Sequence, residues 1–405
     1  MATSVPDEFP IVSRIRSYFS LLRTTKGEVE QTRITGSGEN RFKEFVSKLI
    51  DDLLIELQEH ISIMEEIEDL DTKSTLSENI HRSLEAFLNW VDMILRHCNA
   101  VSIEMQEFVS YILRDLDAND TDYLLVSGPE LSETSLSESL SKLFMVLFQR
   151  AFDRINSEFP SFCILFLPQS LLKNPVNWPL CMHEIGHMIE NQKLKIVERF
   201  YPRPEFSPIS TRIMYNTQAL KYWYSKEFQA DYIATAYFGP ILPSQLIDNY
   251  FTGEVFLYAT HPSWEERIRV MVEELRIMGL EESAKILLEK SRRISSKRPM
   301  IPKGSLEHLD EILEETQSFL EDKSAIYKIN KNRLESARKT LEEFIPYTDD
   351  VKTMLNAAGE VKKNLLEKAD SFEKKEKVEE DFNRLIKDSI RLSSLKRTFV
   401  SQRGK

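Results

Sequence analysis

Apolar positions along this chain recur mostly at spacings of three and four, the helical period, and seldom gather into continuous runs. Phe42, Phe45, Leu49, Leu53 and Leu57 mark one helix. Ile80, Leu84, Phe87, Val91 and Ile94 mark a second, and Met105, Phe108, Ile112 and Leu116 a third. Residues 41–117 therefore read as a helical bundle, while 1–40 begin with a weakly ordered segment and Thr35-Gly36-Ser37-Gly38 reads as a loop. The pattern changes at the turn cluster Asp117-Ala118-Asn119-Asp120. Residues 123–126 and 162–167 are short apolar runs of buried-strand length, separated by a helix over 137–158. Helical spacing then returns on a long apolar stretch near 181–190 and again from Thr217. Beyond Leu280 the sequence is charged and helical. Leu306, Leu309, Leu313 and Leu320 form one stripe and Leu334, Ala337, Leu341 and Phe344 another, before a break at Pro346. Helix resumes to about 395, and the basic tail 396–405 reads as frayed.

This order predicts a mainly α protein with an α+β core: an N-terminal helical region over 1–117, a core over 118–295 and C-terminal helices over 296–405. Composition agrees with it. Only 11 glycines occur in 405 residues, few for a sandwich or barrel, and 41% of residues are apolar. A net charge of −12 gives no reason to expect nucleic acid as a partner. The three cysteines, Cys98, Cys163 and Cys181, have no paired spacing, so a reducing compartment fits best. No apolar run approaches the roughly 20 residues that span a bilayer, and 1–10 lacks a signal-peptide pattern. A cytoplasmic protein is the expectation.

The chemistry concentrates in Cys181-Met182-His183-Glu184-Ile185-Gly186-His187-Met188-Ile189-Glu190. On a helix, His183 and His187 share a face and can address one metal ion, with Glu184 beside them to take a proton from water. Asn177 would cap this helix, with Pro179 in its first turn. Zinc on two histidines needs a third protein donor. Glu227 and Asp231, four apart in Glu227-Phe228-Gln229-Ala230-Asp231, would read alone as a solvated acidic stripe. After the two histidines they read as a ligand and the acceptor that fixes an imidazole. In Thr260-His261-Pro262-Ser263-Trp264-Glu265-Glu266-Arg267-Ile268, His261 could cap a helix locally or donate to an oxyanion. Arg267 could pair with a core carboxylate. The run 162–167 would border the cleft and offer an edge to an extended substrate. His60, His81 and His97 lie at no ligand spacing and read as ordinary packing or surface residues. The prolines of 201–216 mark a connector.

These three motifs, in this order, resemble those of the HtpX and CAAX-prenyl-protease family of gluzincins over about residues 120–290. The resemblance implies a zincin-like core with zinc ligands His183, His187 and Glu227 and general base Glu184. It also implies support from Asp231 and cleft roles for His261 and Arg267. Well-known members are membrane-embedded or exported, so their substrates are not carried over. The expectation is a zinc metalloendopeptidase holding one zinc per chain and acting on peptide or protein substrates. Two other readings use the same residues. One is a helical interaction protein with a structural or vestigial zinc site. The other is a latent protease gated by its helical arms, whose apolar stripes must pack on the core, on another copy or on a partner.

Overall fold

The computed structural model describes residues 9–129, 131–135, 144, 147–158, 162–204, 217–249, 261–292 and 306–403. The first elements are α1 (Phe9–Gln31), α2 (Glu39–Glu66), α3 (Leu70–His97), α4 (Ile103–Asp115), β1 (Tyr123–Gly128), β2 (Ser132–Ser135), α5 (Gln149–Glu158) and β3 (Cys163–Pro168). Then come α6 (Gln169–Lys173), a 3₁₀ segment (Pro175–Leu180), α7 (Cys181–Ile189), a π turn (Glu190–Leu194) and α8 (Ile196–Phe200). The remainder is α9 (Thr217–Phe238), α10 (Ile241–Asn249), α11 (Trp264–Ile277), α12 (Glu281–Ser291), α13 (Leu309–Asp322), α14 (Lys331–Glu342), α15 (Val351–Lys368) and α16 (Phe372–Arg403). The protein is mainly helical with one small sheet. Among the described residues no helix is long and apolar enough to cross a membrane.

The chain divides into two compact units, Met1–Val101 with Asp122–Phe166, and Ser102–Thr121 with Leu167–Lys405. None of the crossings between them falls at 117/118 or 295/296.

The first unit holds α1, α2, α3, α5 and the sheet. Residues 1–40, for which the sequence pattern marks no helix, contain a 23-residue helix, α1, whose Ile15, Tyr18, Leu22 and Val29 are buried. These positions stand three, four and seven apart, and they join Phe42, Phe45, Leu49 and Leu53 of α2 in one core. The strands run in the order β1-β3-β2, with β2 antiparallel to β3 from Ser132↔Phe166 to Ser135↔Cys163. β3 is thus the central strand. The expectation of a free edge at 162–167 is overturned, because neighbours take the backbone groups on both sides of this strand. Of the helix expected over 137–158, α5 carries the C-terminal part, and most of 137–146 lies outside the described residues. His60 bonds the Leu147 carbonyl at 2.6 Å and His81 pairs with Glu85 at 3.2 Å, packing roles as expected.

The second unit is built around α9. Tyr224–Phe238 is buried without a break, polar residues included, so this part of the helix presents no solvent face. Helices α7, α8, α10, α11, α13 and α15 all pack on it. It stops at Gly239 (φ +69), whose amide bonds the Thr235 carbonyl at 2.7 Å. A Cβ there would sit 2.4 Å from the Tyr327 ring, so both the turn and the packing require glycine. α4 belongs to this unit, not to the bundle expected over 41–117. Its Phe108 packs on Trp178 and Phe238, and its Asp115 pairs with Arg397 at 2.5 Å.

The C-terminal stripes are largely covered by this same unit, with Leu306, Leu309, Leu320, Ala337 and Leu341 buried and Leu313 and Leu334 half-buried. Phe344 departs from its stripe and is 40% exposed, because α14 ends at Glu342 and Phe344 turns left-handed (φ +56). The tail expected to fray is helical to Arg403. Lys396 pairs with Asp349 at 2.9 Å, and Arg397 lies 4.1 Å over the Tyr111 ring, which anchors that turn.

Candidate metal centre

Three elements of the second unit bring the charged residues together. α7 carries His183, Glu184 and His187, α9 carries Glu227 and Asp231, the turn leading into α11 carries His261 and the first turn of α11 carries Arg267. α7 is entered through the 3₁₀ segment and not through an Asn177 cap. Asn177 sits inside that segment, with its side chain bonded to Asn249 at 3.3 Å. Pro175 and Pro179 set this tighter approach, since neither can donate a backbone hydrogen bond. Gly186, central in the motif, lets α7 close on α9. A Cβ there would stand 3.2 Å from the Ala230 Cα. Its neighbours His183 and His187 consequently face Glu227, three residues before Ala230.

The acidic pair is no solvated stripe, for Glu227 is 7% and Asp231 0% exposed. His183 Nε2 and His187 Nε2 stand 3.1 Å apart. Glu227 Oε1 lies 3.2 Å from His187 Nε2, and Oε2 lies 3.4 Å from His183 Nε2. Donors about 2.0–2.1 Å from one tetrahedral zinc are separated by about 3.3 Å, which these spacings match. One donor atom from each of His183, His187 and Glu227 falls within 4.8 Å of the others, a buried group that could bind a metal ion. Glu227 Oε2 is buried with no hydrogen bond, and its charged neighbours are the Arg267 guanidinium at 3.3 Å and His183 Nε2 at 3.4 Å.

Asp231 accepts from His183 Nδ1 at 2.9 Å and, through both oxygens, from Arg267 at 2.7 and 2.8 Å. The Nδ1 proton on Asp231 leaves His183 Nε2 pointed at His187 and Glu227. Arg267 also reaches Glu227 Oε2 at 3.3 Å and stacks on Trp264 at 4.7 Å. Ser263 caps α11 by accepting from the Glu266 amide at 3.3 Å, which fixes the turn on which Arg267 enters the core. His261 is the outer member, its side chain 35% exposed and its Nε2 3.5 Å from Glu227 Oε1. Glu184 is half-buried beside His183. Its charge adds to those of Asp231 and Glu227 in raising Arg267 against the opposing effect of burial.

The carboxylates and the cations hold each other's charge states. Burial works against an ionised Glu227, but the His261, Arg267 and His187 charges outweigh it and hold the carboxyl well below its usual range. Burial and the Arg267 charge oppose a second proton on His183. Asp231 and Glu227 overcome both and push it up to about 10. Burial lowers His187 and His261. Asp231 and Glu227 thus stabilise a second proton on His183.

Besides Ser263 and Trp264, two further contributors have no role assigned by the sequence pattern. Gly186 is one. The other is Glu190, buried at the end of α7, which accepts from the Val197 and Ile196 amides at 2.7 and 3.2 Å and starts α8. Its place seven residues after His183, on the same helix face, was the available signal. No family model, curated protein or solved structure matches this chain.

Proposed function

We propose that this protein is a zinc-dependent metalloendopeptidase with a gluzincin-type site on a zincin-like core. The observation that carries the reading is the convergence of His183 Nε2, His187 Nε2 and the Glu227 carboxylate at tetrahedral spacings, with Glu184 one residue from the first donor. His183, His187 and Glu227 hold the zinc. Asp231 keeps the Nδ1 proton of His183, and Arg267 keeps Asp231 and Glu227 ionised. Zinc, when bound, polarises the peptide carbonyl and brings the pKa of water towards about 7. Glu184 takes the proton of the attacking water and returns it to the leaving amine. His261, on the exposed side, donates to the oxygen on which charge develops. Peptide or protein chains are the substrates, and three buried cysteines outside any disulfide suit a reducing, cytoplasmic setting.

Metal analysis tests the reading. Purified protein is expected to carry one zinc per chain, and a His183→Ala/His187→Ala variant none. Full zinc occupancy in that variant would place the metal elsewhere and reject the site.

Zinc uptake also has an expected proton signature. A liganding imidazole gives its Nε2 lone pair, so His183 must shed the extra proton it carries below about 10. His187 and Glu227 are lowered and contribute little near pH 8. His183 therefore gives up about one proton per zinc at pH 8, beyond any from zinc-bound water, and its share fades as pH rises through 10. Calorimetry in buffers of different ionisation enthalpy measures it. Zero release at pH 8 would show that His183 is not the titrating ligand.

A further inference from the structure

The two oxygens of Glu227 are used differently by the elements around them. Oε2 faces inward, between His183 Nε2 at 3.4 Å and Arg267 at 3.3 Å, where the cluster is closed by Asp231 at 0% exposure. Oε1 faces outward, between His187 Nε2 at 3.2 Å and His261 Nε2 at 3.5 Å. The inner side is thus closed by a guanidinium, which cannot ligate a metal. The outer side ends on an imidazole nitrogen, which can. His261 is also delivered by a fixed turn: buried Pro262 follows it, and the Ser263 cap sets the first turn of α11.

We propose that His261 is a displaceable fourth ligand, so that the resting zinc site is closed by His183, His187, Glu227 and His261 and opens only when substrate takes the outer position. This rests on the zinc-peptidase reading above. A catalytic zinc keeps an open coordination position and a structural one does not. A single imidazole that swings off the metal converts the second state into the first, and once released it stands beside the developing oxyanion as a donor. His261 suits that movement, because its side chain is 35% exposed while those of His183, His187 and Glu227 are 8%, 12% and 10% exposed. It is not among the mutually close donor atoms of the three-residue group, so closure requires its imidazole to advance onto the ion. Latency would then reside in one side chain next to the metal.

The test uses the full chain loaded with zinc or with cobalt as a spectroscopic substitute. X-ray absorption of the zinc protein is expected to count three imidazoles in the wild type and two in His261→Ala. Zinc affinity is expected to fall at least about tenfold in that variant, as for other ligand-orienting losses. The visible bands of the cobalt protein should shift in His261→Gly and return on adding free imidazole, which separates a missing ligand from a misfolded site. Two imidazoles in the wild type, with affinity and cobalt bands unchanged in His261→Ala, would overturn the proposal while leaving the three-residue site standing. A wild-type protein that takes up no zinc would remove both.

Discussion

Glu184→Gln is expected to abolish peptide hydrolysis and leave zinc content at one per chain. The residue is placed for proton transfer and not for ligation. It follows His183 on α7, is half-buried, and is outside the group of donor atoms formed by His183, His187 and Glu227. An amide of the same shape keeps the packing but cannot accept a proton from water. The loss expected for a positioned general base is about 10²–10⁴-fold in kcat. His183→Ala should differ in kind, losing metal and activity together. Assay of a flexible peptide substrate alongside metal analysis separates the two. If Glu184→Gln lost its zinc, Glu184 would be a ligand, and the base would have to be sought elsewhere.

How much of this site was legible depends on the range of the forces that build it. The helical spacing of His183 and His187 is local, set by a single turn, and it survives intact in α7. Glu227 and Asp231 were readable for the same reason, since one turn of α9 places both toward α7. What joins the helices was not readable. The closeness of α7 and α9 depends on Gly186 meeting Ala230 across 44 positions of sequence, and nothing local marks that contact. Helix α1 was readable in principle from Ile15, Tyr18, Leu22 and Val29, but polar and charged residues dilute that stripe. The central position of β3 could not be read, because β2 carries the polar sequence Ser-Glu-Thr-Ser and earns its place by pairing alone. Asn177 was misplaced because the two prolines around it favour a 3₁₀ approach over a capped α-helix.

Burial also changes the expectation for Asp231. As an outer partner of a ligand its loss would cost about 10–100-fold in metal affinity or activity. The structure makes it a stability residue too. Asp231 is fully buried and accepts three bonds, two from Arg267 and one from His183. Asn in its place offers one acceptor oxygen and turns an amide group toward a buried cation. Removing one partner of such a pair costs about 3–5 kcal/mol, because the other charge stays buried. The remaining counter-ion, Glu227 at 3.3 Å, is then drawn toward Arg267 and away from the metal. Asp231→Asn is therefore expected to lower Tm by roughly 10 °C and to weaken zinc as well. Arg267→Met should destabilise comparably, by leaving Asp231 and Glu227 without their shared cation. The double variant Asp231→Leu/Arg267→Met discriminates among causes, since replacing both charges by apolar groups removes the unpaired charge at this pair and leaves only Glu227, a zinc ligand, without its guanidinium. It should regain most of the lost Tm yet bind zinc no better than Asp231→Asn, because His183 still lacks the acceptor for its Nδ1 proton. Equal Tm losses in the double variant and the singles would mean that packing, not charge, holds this corner. Recovery of zinc affinity in the double variant would mean that Asp231 does not orient His183.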